Sequence, residues 1–183
     1  MNTANKITMI RVFLVPVFMV LFMIDNTACH YAALGVFILA SITDAIDGHI
    51  ARKYNQTTTF GKFVDPLADK VLTTAAFLIL MYYGRMSVWA LMIVLTREFM
   101  VAGVRLVAAG DGNVVAASMW GKLKTVTQMV AVVVAMLLLP VKTTFLGVQP
   151  RLLSDILIWV SVAFTIISGI DYLAKNWHLM KLK

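Results

Sequence analysis

The chain has 183 residues, of which 61% are hydrophobic, with a mean hydropathy of +0.86 and a formal net charge of +7. Soluble domains run nearer half apolar, so this composition excludes an ordinary soluble enzyme and makes a lipid bilayer the expected solvent. The basic excess does not suit nucleic acid, since so apolar a chain has no solvated face on which to set it. Cytoplasmic loops and a site for an anionic substrate suit it better. The single cysteine, Cys29, excludes an internal disulfide framework and a thiolate metal cluster.

Apolar runs of about 20 residues, the length that crosses a bilayer, recur along the chain. The first predicted helix covers 7–24 and is read as a retained membrane helix, since no small-residue cleavage site follows it. The second covers 31–52 and the third 60–83, ended by Gly84. The fourth covers 87–109 and stops at the GDGN sequence of 110–113. The fifth covers 115–139 and ends at Pro140, and the sixth covers 152–173. No repeat or linker divides these elements. The expected fold is therefore all-α, with six transmembrane helices in one polytopic membrane domain spanning 1–183. With both termini in the cytoplasm, thirteen of the sixteen Lys and Arg fall on the inner side, leaving Arg85, Lys142 and Arg151 outside. Trp177, His178, Lys181 and Lys183 read as an interfacial anchor, and the methionines and phenylalanines as packing or lipid-facing residues.

Charge inside membrane helices is costly and marks function. Of nine acidic residues, four aspartates fall in the window 44–69. Asp44 and Asp47 are three apart and Asp65 and Asp69 four apart, so each pair shares a helix face. The polar turn after Arg52 and Lys53 can bring the two pairs together. Four close carboxylates need positive charge, and hard divalent cations such as Mg²⁺ meet carboxylate oxygens and substrate phosphates alike. Two such ions could stabilise both the attacking and the leaving oxygen in displacement at phosphorus. Gly48, Ala51 and Gly61 leave room for a nucleotide, and Arg52 can meet a phosphate. The alternative, buried ion pairs such as Asp44 with Arg52 or Asp69 with Lys70, requires as many cations as anions on matching faces. His49 lies off the aspartate face.

Spelled out, the pattern is Asp44-x2-Asp47-Gly48-x2-Ala51-Arg52-x8-Gly61-x3-Asp65-x3-Asp69. It resembles, position for position, the signature of the CDP-alcohol phosphotransferase family. The resemblance implies six membrane helices, a homodimer and a dinuclear Mg²⁺ or Mn²⁺ site at the cytoplasmic side of a bacterial inner membrane. It assigns Asp44, Asp47, Asp65 and Asp69 to the metals, Asp69 also to the base, and Gly48, Ala51, Arg52 and Gly61 to the CDP-diacylglycerol donor.

A second stretch, 95–138, bears on the acceptor. It places Arg97, Arg105, Lys122 and Lys124 within or beside membrane helices, where unpaired cations are costly. Arg97 and Arg105 are eight apart and lie on similar faces. Glu98 can neutralise one cation at most, and a doubly charged phosphate would meet the others. This stretch and the opening 3–16 resemble family members that use glycerol 3-phosphate, with Ala4 and Ile7 replacing the usual Pro and Leu. That resemblance assigns Arg97, Arg105 and Lys122 to the acceptor's phosphate. The alternative for these cations, most of all Lys124, is snorkelling to the membrane interface. Phosphatidylglycerol and inositol phosphate are the rival acceptors. Outside the family the rival is a cation transporter, which the clustering of carboxylates at one membrane face disfavours.

Overall fold

The structure, a computed structural model, describes the backbone of residues 3–53, 59–110, 118–141, 144 and 149–177. Side chains are described for these apart from positions 3–8, 44–53, 59–66, 69 and 109–110. Six helices follow one another: α1 (Thr3–Met23), α2 (Thr27–Lys53), α3 (Thr59–Tyr82), α4 (Val88–Gly110), α5 (Met119–Leu137) and α6 (Pro150–Asn176). They divide into two compact units, Met1–Tyr82 and Tyr83–Lys183.

In the first unit α1 packs against both α2 and α3. Its centre is aromatic: Phe18, Phe22 and Phe37 have no accessible surface. Phe18 meets Phe22 edge-on at 5.3 Å and Phe37 at 5.7 Å, geometries that aromatic quadrupoles favour. The turn into α2 is set by Asn26, whose side-chain oxygen accepts from the Ala28 N–H at 2.8 Å. That cap starts α2 at Thr27, four residues before the predicted start, because it satisfies a backbone donor that apolar periodicity does not register. Pro16 lies inside α1 without ending it. Tight turn chemistry also precedes α4. Gly84 takes φ +64°, which a side chain would disfavour, and the Ser87 hydroxyl accepts from the Ala90 N–H at 3.1 Å.

In the second unit α6 lies between α4 and α5, packing on each. Its buried positions include Ser154, Ile158, Ser161, Thr165, Ser168 and Tyr172, spaced by three or four as one helix face requires. The small hydroxyl residues allow close helix approach. Their donors are mostly returned to their own helix: Ser154 to Pro150 O, Ser161 to Ile158 O and Thr165 to Ser161 O, at 2.7–2.9 Å. Pro150 opens α6 at its first position, where a missing N–H costs nothing, so the helix begins two residues before the predicted 152.

α5 departs from prediction in the other direction. Ser118 is extended, and its hydroxyl accepts from the Gly121 N–H at 3.2 Å, so a helix starting at 115 cannot run through it. Residues 111–117, and with them most of the GDGN sequence, lie outside the described residues.

The outer surfaces are apolar. Phe13, Trp89, Leu106, Met119 and Ile170 are each more than 60% exposed, while Arg11, Lys124 and Gln128 are buried. This polar-in, apolar-out distribution belongs to a protein associated with a membrane. Met119–Leu137 and Pro150–Asn176 are long and apolar enough to cross one. Three further apolar stretches among the described residues, Met9–Met23, Thr27–Thr43 and Lys70–Tyr82, run to 10–17 residues.

Candidate active site

The acidic half of the predicted site belongs to the first unit. α2 continues unbroken through Asp44 and Asp47 to Lys53, and α3 begins before Gly61 and continues through Asp65 and Asp69. Uninterrupted helix turns the three- and four-residue spacings into shared faces, separated along the axis by about 4.5 and 6 Å. Gly48, Ala51 and Arg52 occupy the last two turns of α2, and Gly61 the first turn of α3. At these positions only the backbone is described; their side-chain contacts, and those of His49 and Lys53, lie outside the described residues. The donor set itself fits a pair of hard divalent cations, being four carboxylates in two face-sharing pairs.

The basic half belongs to the second unit, and here side chains can be followed. Arg97 on α4 has 12% of its side chain exposed. Its Nη1 donates to Glu98 Oε1 at 3.1 Å and its Nη2 to Ser168 Oγ on α6 at 2.7 Å. Its Nε is buried without a hydrogen-bond partner. The same Glu98 oxygen accepts from Lys124 Nζ on α5. One carboxylate oxygen therefore bridges two cations, where sequence reasoning allowed Glu98 only one. Lys124 is also not a snorkelling anchor: it is 5% exposed and ion-paired between helices.

Glycine backs the arginine on both neighbouring helices. A Cβ at Gly169 would sit 3.3 Å from Arg97 Cγ, and one at Gly121 3.7 Å from Arg97 Nη2. Arg97 also borders an otherwise mainly apolar cleft of about 380 Å³ between α4 and α6, with Trp89, Met92, Met100 and Ile170 among its lining.

The other predicted phosphate contacts, Arg105 and Lys122, are exposed where Arg97 is largely buried. Arg105 is exposed and lies 5.8 Å from the ring centroid of buried Tyr172, a cation–π arrangement. About 12 Å of helix axis separates it from Arg97. Lys122 is exposed in the first turns of α5. Away from these, burial lowers the pKa of Arg85 from its ordinary value, with Asp155 opposing the shift and Arg151 adding to it.

Sequence reasoning missed Ser168 and the bridging role of Glu98. Ser168 carried a usable signal, since hydroxyl residues at 154, 161, 165 and 168 keep helical spacing through an apolar run.

The fold and these residues define an all-α, membrane-associated protein with four aspartates at helical spacing on two helices of one unit and a buried cation cluster in the other. Over residues 1–167 the chain matches the CDP-alcohol phosphatidyltransferase family, and it belongs to that family. It is 43% identical to a CDP-diacylglycerol–glycerol-3-phosphate 3-phosphatidyltransferase of Bacillus subtilis, covering 98% of this chain and 97% of that one. A Rickettsia typhi protein of the same name is 37% identical, covering 93% and 94%. A probable phosphatidylglycerophosphate synthase of Mycobacterium tuberculosis is 36% identical, covering 95% and 81%. Family membership removes the footing of the transporter alternative.

Proposed function

We propose that the protein transfers the phosphatidyl group of CDP-diacylglycerol to glycerol 3-phosphate, giving phosphatidylglycerophosphate and CMP. The observation that carries this reading is 43% identity to the Bacillus subtilis enzyme across nearly the whole of both chains. The interhelical cation cluster around Arg97 supports an acceptor that brings its own phosphate, rather than a neutral or cationic alcohol.

Asp44, Asp47, Asp65 and Asp69 would hold two Mg²⁺ or Mn²⁺ ions. Bound there, the ions supply the positive charge that offsets the donor's diphosphate and the departing CMP. Gly48, Ala51 and Gly61 admit the CDP group, and Arg52 meets one of its phosphates. Asp69 takes the proton from the acceptor hydroxyl as its oxygen attacks the phosphorus bearing diacylglycerol. The bond from that phosphorus to the CMP oxygen breaks. Arg97, Arg105 and Lys122 hold the acceptor's phosphate. The reading includes six membrane-spanning helices, both termini and the site on the cytoplasmic side of a bacterial inner membrane, and a homodimer. Both units act as one membrane domain, since the family match runs through both.

The test is CMP release by the purified protein in detergent with CDP-diacylglycerol and Mg²⁺. Glycerol 3-phosphate, inositol phosphate and phosphatidylglycerol are offered separately, alongside an EDTA control and the Asp69→Asn variant. Release with glycerol 3-phosphate alone, lost with EDTA and in Asp69→Asn, is the expected result. Release with a different acceptor would overturn the assignment of the cationic residues, and near-normal turnover by Asp69→Asn would remove it as the base.

A further inference from the structure

Consecutive helix residues do not face one another, yet Arg97 and Glu98 are joined by a 3.1 Å ion pair. The geometry has a cause in the neighbouring helix. Lys124 on α5 binds the same Glu98 oxygen, so the carboxylate is drawn across the unit and Arg97 follows it. On its other edge the guanidinium is held by Ser168 on α6. Glycines at 121 and 169 leave it room on both helices. A long side chain that ordinarily samples many rotamers is thus tied at both terminal nitrogens, and the buried Nε donor is left over.

We infer that Glu98 and Ser168 are positioning residues that hold Arg97 ready to receive the acceptor's phosphate. The inference rests on the proposed reading of Arg97 as a phosphate contact. The Glu98 carboxylate sets the guanidinium plane, and its bond to Lys124 fixes the carboxylate. Ser168 prevents rotation about the last bonds of the arginine. Preset donors bind an anion without the entropic loss of ordering the side chain at each encounter. The consequence falls on acceptor binding and spares the donor.

A purely structural Glu98 would serve only to neutralise buried Lys124, and the two roles separate in a double variant. Glu98→Gln takes the paired carboxylate away from buried Lys124 and from Arg97, and lowers stability. Glu98→Gln with Lys124→Met removes both of these charges and recovers part of the lost detergent unfolding temperature, since Arg97 is still left without its carboxylate. If Glu98 positions Arg97, the double variant still raises the glycerol 3-phosphate KM about tenfold relative to Lys124→Met alone, with the CDP-diacylglycerol KM within about twofold. Ser168→Ala, which strands no charge, is expected to raise the acceptor KM severalfold with kcat little changed. An acceptor KM in the double variant equal to that of Lys124→Met alone overturns the role of Glu98. Should the double variant not fold, Ser168→Ala decides, and an unchanged acceptor KM there overturns the inference. Arg97→Ala tests the underlying reading separately: if its acceptor KM is unchanged, that reading fails, and a positioning defect without an arginine effect cannot arise.

Discussion

Arg97 shows what a single position in this protein depends on. Its aliphatic stem rests on Gly169, where an added Cβ would lie 3.3 Å from Cγ and 3.6 Å from Met100 Cε. Alanine there gains about 1 kcal/mol of helix propensity over glycine, yet it presses on the middle of a side chain tied at its far end. Gly169→Ala is therefore expected to keep an unfolding temperature near wild type while raising the glycerol 3-phosphate KM. Substrate titrations beside a melting curve check this, and an unchanged KM would mean that the arginine shifts without cost. Residues such as these also mark the limit of sequence reading. Arg97, Arg105 and Lys122 could be singled out because charge in an apolar chain is conspicuous. Glu98 was legible as a counter-charge, but its bridge to Lys124 across 26 positions and the Arg97–Ser168 bond across 71 were not. Helical spacing says which residues share a face, and nothing about which distant face lies opposite.

At the scale of elements, all six helices were legible from apolar length and from turn residues, while the starts of α2, α4 and α5 are set by side-chain caps that apolarity does not register. α5 is the clearest case. Its first turn contains no acidic residue, and Lys122 and Lys124 stand close to its N-terminus, where positive charge opposes the helix dipole. Ser118 offsets part of that by accepting the Gly121 N–H. Ser118→Ala should cost about 1 kcal/mol, read as a lowered unfolding temperature in detergent. Ser118→Asn should recover most of it, because its amide oxygen restores the cap without setting a second carboxylate against Asp171, with which the Ser118 side chain is hydrogen-bonded. Equal unfolding temperatures for all three proteins would mean that packing on α6, and not the cap, fixes where α5 begins. The aspartate helices were legible in a different way. The spacing of Asp44, Asp47, Asp65 and Asp69 required helix, and α2 and α3 are helical throughout those positions.

For the whole molecule, the proposed topology follows from charge alone. Thirteen basic residues assigned to one side against three on the other place the turn between α1 and α2 outside the cell membrane and the end of α6 inside. The chain offers a direct probe of this, because its only cysteine, Cys29, lies in the first turn of α2 and is partly exposed. A membrane-impermeant maleimide added to intact spheroplasts is expected to modify Cys29 without permeabilisation. Moving the thiol, by Cys29→Ser with Lys175→Cys, is expected to reverse the pattern. Lys175 is 62% exposed near the end of α6, so the new thiol should react only once the membrane is opened. Modification of Cys29 only after permeabilisation, together with ready labelling at 175, would invert the protein. The aspartates at the other end of α2 would then face away from the cytoplasm, where glycerol 3-phosphate and CMP are exchanged. The charge distribution and the chemistry therefore make the same demand on orientation, and this pair of labelling reactions tests both.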